Sequence, residues 1–295
     1  MASKRQVIGL IGILWSFASG YAQQQPDVNP IDLVRRAAKN EIRANENQKY
    51  FFMYKDHSQS KNHSITKEVL ETPQGGLART IAINGKPLTA EQRSKDDQKL
   101  TKFANDPEAR RKKEESSKEE DKRAELMLTS LPDAFLYTYA GTERGRNGEP
   151  MVHLKFTPNP KFDPPNHETA VYQGMQGGMT IDEEALRIAK IDGTLFRDVD
   201  FGWGILGRLY KGGRFIIEQQ DVGNGRWETV RQVLQFNGKI LLVKSLTIDS
   251  TETATDFRPV PSNITTAEAL NLLHKSTDTV AENGGGVKEA DSPHR

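Results

Sequence analysis

Side chains able to do chemistry are few and scattered. His57 and His63 flank an expected turn, six residues apart. A shared metal would need that turn to bring them together, and no carboxylate stands at a usual ligand spacing. His167 and Glu168 adjoin in the proline-rich stretch "PNPKFDPPNHE". Asp182, Glu183 and Glu184 form a carboxylate run that could hold a cation or share a proton. That run falls where a hairpin turn is expected, so a solvated turn is the simpler reading. Asp198 and Asp200 in "DVDFG" have no His or Lys at ligand spacing. The chain has no cysteine. That excludes a thiol nucleophile, thiolate metal sites, disulfides and an acylated lipobox cysteine. Neither a G-x-S-x-G elbow nor an H-E-x-x-H pair occurs. These residues predict a non-catalytic protein with no cofactor and no metal.

The stretch "FGWGILGRLYKGGRF", Phe201–Phe215, is the densest in glycine. Gly202, Gly204 and Gly207 match G-x-G-x-x-G, a dinucleotide fingerprint when it joins a strand to a helix. Here no parallel βαβ pattern surrounds it. The spacing from Gly202 to Gly207 also fits a Walker loop, but Arg208 and Leu209 stand where Lys and Ser/Thr are required. The apolar side chains of the stretch suit packing better than an anion cradle. It is expected to be a short helix or turn against a sheet, with "KGG" opening a long strand at Arg214.

Those residues must be held by elements, and the elements are legible in outline. The N-terminus carries Lys4 and Arg5, then the apolar "VIGLIGILWSFA", then small residues at Gly20 and Ala22. The apolar run is shorter than the roughly 20 residues of a spanning helix. It reads as a signal peptide, residues 1–22, cut near Ala22/Gln23, which implies export to the periplasm. An uncleaved anchor is the alternative. "NPIDLVRRAAKNEIRANEN" predicts a helix over about Pro30–Ala44, with Asn29 as N-cap and a stripe of Ile31, Val34, Ala38 and Ile42. Alternating segments follow: "QKYFFMYKDHS", "SITKEVLET" and "LARTIAING". Residues 88–131 are charged with both signs mixed and lack glycine. They predict a solvated helix, a partly disordered insert or a mobile lid. From Ala134 onward strands recur, joined by turns such as "VGNGRW" and "FNGK". Residues 27–275 are read as one domain and residues 276–295 as a disordered tail. Net charge is +1, which provides no field for nucleic acid.

From Met175 to Val260, three segments carry a resemblance: "GGMTIDEEALRIAKIDGTL", "FGWGILGRLYKGGRFIIEQQDVGNGRWETVRQVLQF" and "GKILLVKSLTI". Their order resembles the LolA/LolB-like, outer-membrane lipoprotein-sorting group. The resemblance implies a mainly β (α+β) fold, a curved half-open antiparallel sheet or barrel covered by an N-terminal helix. It also implies an apolar concave face that takes lipid or lipoprotein acyl chains. The candidate lining residues are Phe51, Met53, Trp203, Phe215, Ile217, Trp227, Leu234 and Phe236. A one-residue slip in face assignment would invert each choice. Partners on this reading are a lipid or acyl chain, with peripheral membrane contact. An envelope scaffold contacting another protein, with a filled core and no cavity, is the other reading. A hydrolase with dispersed residues would need a buried Ser–His or His–carboxylate pair within hydrogen-bond reach.

Overall fold

The structure, a computed structural model, describes residues 29–73, 75–202, 206–241 and 244–284, with side chains through residue 276. Residues 1–28, with the expected signal peptide, and Trp203 lie outside the described residues.

Helix α1 (Pro30–Glu46) starts at Asn29, whose side-chain oxygen accepts from the Ile31 amide at 3.0 Å. Pro30 costs nothing in the first turn, where its missing N–H would be unpaired anyway. The helix buries Leu33, Val34, Ala37, Ala38 and Glu41. The buried stripe is therefore rotated from the expected one, and Ile31 and Ile42 sit half-buried at its borders.

Among the described residues, thirteen strands form one antiparallel sheet. A meander opens it: β1 (Phe51–Ser60), β2 (His63–Leu70), β3 (Leu77–Ile83) and the two-residue β4 (Lys86–Pro87). After the charged insert come β5 (Phe135–Arg144), β6 (Pro150–Pro158), β7 (Met175–Asp182) and β8 (Arg187–Leu195). Then follow β9 (Val199–Phe201), β10 (Gly207–Leu209), β11 (Arg214–Asp221), β12 (Trp227–Ile240) and β13 (Lys244–Val260). Strand order is β4-β3-β2-β1-β13-β12-β11-β8-β7-β6-β5, so the sheet is open and the last strand returns to pair with the first. The long β12 pairs β11 along one stretch and β10 along the next.

The insert is two helices. α2 (Ala90–Ala104) opens with a capping box between Thr89 and Gln92. α3 (Pro107–Ala134) opens at Asp106, whose carboxylate accepts from the amides of Glu108 and Ala109. Its polar half carries Arg111–Glu115 and Glu114–Lys118 pairs at i,i+4, 2.6 Å each. Its end turns inward, burying Leu131 and Ala134.

Two cores form, on opposite faces of the sheet. α1 and the end of α3 pack with β5–β8 around Leu33, Val34, Phe135, Leu154, Phe156, Met179 and Ile181. α2 and α4 (Thr266–Gly284) pack over β2 and β3 around Met53, Leu70, Leu77, Leu100 and Leu273. Buried Arg79 clamps this second layer: it forms a two-pronged pair with Asp97 of α2 and donates to the Leu273 and His274 carbonyls of α4.

Two expectations are corrected. The helix or short turn expected in Phe201–Phe215 is the β9–β10 hairpin, with Phe201 opposite Gly207. β10 takes the free edge of β12, and that pairing outweighs any local preference for helix. Of the tail expected from residue 276, the part through Gly284 has the helical backbone of α4, and residues 285–295 lie outside the described residues.

Candidate functional site

The site emerges on the α1 face of the sheet, past the helix. α1 covers β8 and β5. Beyond it, β11, β12 and β13 show a strip of register-paired apolar side chains on the same face. Ile217 lies opposite Ile191, Phe215 opposite Leu234, and Phe236 opposite Ile248. Phe236 is buried, Ile191, Phe215, Leu234 and Ile248 are half-buried against the rim of the larger core, and Ile217 is half-buried beside them.

The rings of this strip lie flat. Phe215 folds down over Gly193 of β8, where a methyl group would collide with its ring. Phe236 does the same over Gly213. A ring laid across a glycine fills the missing side-chain space and leaves a low floor. These two contacts explain why glycine recurs in "IDGTL" and "KGGRF": the glycines are seats for phenyl rings.

The strip ends in a polar cleft of about 230 Å³, lined by Tyr54, Asp56, Glu228, Gln232, Glu252 and Phe257, among others. Tyr54 and Phe257 stack with ring centroids 5.0 Å apart. The cleft is electronegative. Burial pushes the Asp56 carboxyl above its usual range, against the pull of Lys67 and His57. Burial likewise raises Glu71, which Arg226 partly offsets. The Tyr54 hydroxyl is raised far, by burial first and then by Glu71, Glu228 and Asp56. Arg226 is a second cation nearby, besides Lys67; it pairs with Glu71 and Glu228 and donates to the Tyr50 carbonyl at 2.9 Å. An apolar floor with an acidic, hydrogen-bonding end suits an elongated apolar group with a neutral or cationic polar end.

The expected lining residues divide. Phe215, Ile217, Leu234 and Phe236 share the strip. Phe51 and Met53 do not join them: both point to the opposite face, and Met53 is buried in the second core. Their neighbours Phe52 and Tyr54 take the α1 face instead. A bulge with Asp256 in the left-handed region (φ 58°) shifts the β1–β13 register beside them. Trp227 sits elsewhere, with the Arg187 guanidinium over its ring at 5.8 Å. Arg187 is the buried partner of Glu41, in a two-pronged pair at 2.9 and 2.6 Å, and Glu41 also accepts from the Ile188 amide. Glu41 was not foreseen, although its place in the apolar stripe of α1 was the signal. A carboxylate there needs a buried cation.

The scattered polar candidates take structural roles. Asp182 is buried and caps its turn through the Ala185 amide at 2.7 Å; Asn40 of α1 donates to the Ala185 and Leu186 carbonyls of the same turn. Asp198 accepts from the Lys211 amide, and Asp200 pairs with Arg208. Pleating sends His57 and His63 to opposite faces of the β1–β2 hairpin. His167 and Glu168 are exposed. One His–carboxylate pair does lie within reach: His153 contacts Glu143 at 3.1 Å and Thr180 at 3.0 Å. It stands on the other face, with Glu143 66% exposed, so water screens the pair.

No protein-family model matches the chain, and no curated protein matches it. Among solved structures, a DUF1329 family protein from Desulfovibrio piger is similar over 78% of this chain and 93% of that one, at 10% identity and a TM-score of 0.26.

Proposed function

We propose that this is an exported, non-catalytic binding protein, LolA/LolB-like in design, which holds an apolar chain on the α1 face of its sheet. The observation that carries this reading is the strip of Ile191, Phe215, Ile217, Leu234 and Ile248, which share the α1 face and are only partly buried there. Apolar side chains facing water at this density gain free energy by covering themselves, at about 25 cal/mol per Å². The acidic cleft at one end selects against a carboxylate head and favours a neutral one, such as an acylated glyceride or lipoprotein. The N-terminal apolar run supports export to the periplasm, where such ligands occur.

The test is native mass spectrometry of protein purified from periplasm, with titration of the neutral apolar probe N-phenylnaphthylamine. Wild type should carry a lipid and brighten the probe. Leu234→Arg and Ile217→Lys should each weaken probe binding by about tenfold or more, the scale of a lost apolar side chain. Absence of both lipid and probe binding would leave the other reading, an envelope interaction module with a filled core.

A further inference from the structure

We propose that a cleft between the C-terminal end of α1 and the β11–β12 turn is a binding site for one neutral sugar unit. Two loops wall it: residues 47–50, where α1 gives way to β1, and the turn at residues 222–226. The Val222 amide closes the turn on the Arg226 carbonyl at 2.8 Å. Asn224 and Gly225 take the left-handed backbone that the turn requires, with φ at 58° and 72°. The Arg226 guanidinium donates to the Tyr50 carbonyl at 2.9 Å and holds the two loops together. The cleft measures about 200 Å³, room for one sugar ring but too little for an acyl chain or a nucleotide.

The walls carry rings and planar polar groups. Trp227 is half-buried and Tyr50 is 47% exposed, and both line the space. Exposed Asn45 and Asn224 bring carboxamides that have no partner among the described residues. Arg187 adds a donor from the buried side. It is 6% exposed and gives Nε and Nη2 to Glu41, so Nη1 is the group it has left for the cleft. Buried donors are seldom left without a partner, and this nitrogen has none among the described residues.

Charge narrows the ligand class. No carboxylate lines the cleft among the described residues, so a cation finds no counterion there. Both guanidiniums are already neutralised from behind, Arg187 by Glu41 and Arg226 by Glu71 and Glu228. Exposed Lys49 alone is a weak anchor for an anion. The carboxamides would lose their water to a purely apolar ligand and gain nothing in return. A sugar meets every wall. Its hydroxyls donate and accept, as carboxamides do, and its ring C–H bonds suit the electron-rich faces of indole and phenol. The cleft stands apart from the apolar strip, so a chain that takes no apolar probe can still bind a sugar here.

The test is saturation-transfer NMR of the full chain with the methyl glycosides of glucose, galactose, mannose and N-acetylglucosamine. At least one should receive saturation at its ring C–H protons. In titrations, Trp227→Ala should weaken that glycoside by about tenfold, the scale of a lost ring contact, and Trp227→Phe should restore most of it. Asn224→Gly removes a carboxamide but suits the left-handed position. It should weaken binding by about threefold to tenfold in a protein that melts with wild type. Leu234→Arg, which breaks the apolar strip, should bind the sugar as wild type does, so the loss of one site is told from the loss of the other. A sugar site is overturned if no glycoside receives saturation, or if Trp227→Ala or Asn224→Gly binds as tightly as wild type. It is also overturned if inorganic phosphate displaces the bound glycoside, since the cleft would then take anions.

Discussion

Asp56 shows how one side chain reports on the site. It faces the same side of the sheet as Gln232 and Leu234, and burial raises its carboxyl above the usual value. The folded chain therefore takes up a proton there more readily than the unfolded chain. Stability from this group rises as pH falls from the raised value towards the ordinary one, and the penalty is present at neutral pH. Asp56→Asn should accordingly be more stable than wild type at pH 7, with the gap closing under acid conditions. Urea midpoints at the two pH values measure this, and a gap that does not change with pH would sink it. On the function proposed above, that acidic wall would meet the polar end of a ligand. Glu41 illustrates the contrary case. Its charge is also buried, but Arg187 and the Ile188 amide satisfy it, so it ties α1 to the start of β8. Asn29 as helix cap was readable from residue type alone, because capping is local. The partner of Glu41 is 146 residues away and could not be read so.

At the scale of elements, strand alternation told which residues share a face but not which face meets which helix. Phe215, Ile217, Leu234 and Phe236 share one face because β11 and β12 run regularly through them. Phe51 and Met53 fall on the other face because β1 alternates without a break from Asp56, whose pairing with Ala254 sets the face, and nothing in β1 itself records that long-range register. Mixed charges and the absence of glycine allowed a helix in the insert but left disorder or a lid open. That α2 and α4 would meet over Arg79 was not legible, since the contact joins segments far apart in sequence. The seat of Phe215 on Gly193 gives a prediction at this scale. Gly193→Ala should force the ring upright and cost about 1–3 kcal/mol through overpacking. In a Phe215→Leu background the same change should cost far less. Equal losses in both backgrounds, measured by urea unfolding, would show that the ring is not what excludes the methyl group.

The whole molecule is bound together by β13. It pairs with β12 over Arg231–Ile240 and with β1 over Phe51–Ser60, so it spans the ground between the two cores. Neither core can lose its share of the sheet without disturbing that strand. Thermal unfolding should therefore be a single transition, with calorimetric and van't Hoff enthalpies in agreement. Two resolved transitions would mean that the α2–α4 layer folds as a separate unit. The two ends of the eleven-strand run differ, and the three-residue β9, paired only with β10, adds a short edge of its own. One border ends in Lys86 and Pro87, two residues with a ring where an amide should be. The other ends in the ten-residue β5, whose pairing with β6 slips at Tyr139/Gly141. An open sheet with two receptive borders can stack copies without limit. With the Lys86–Pro87 end blunted, two copies that joined through β5 would each use up that edge, and an assembly made this way would stop at a pair.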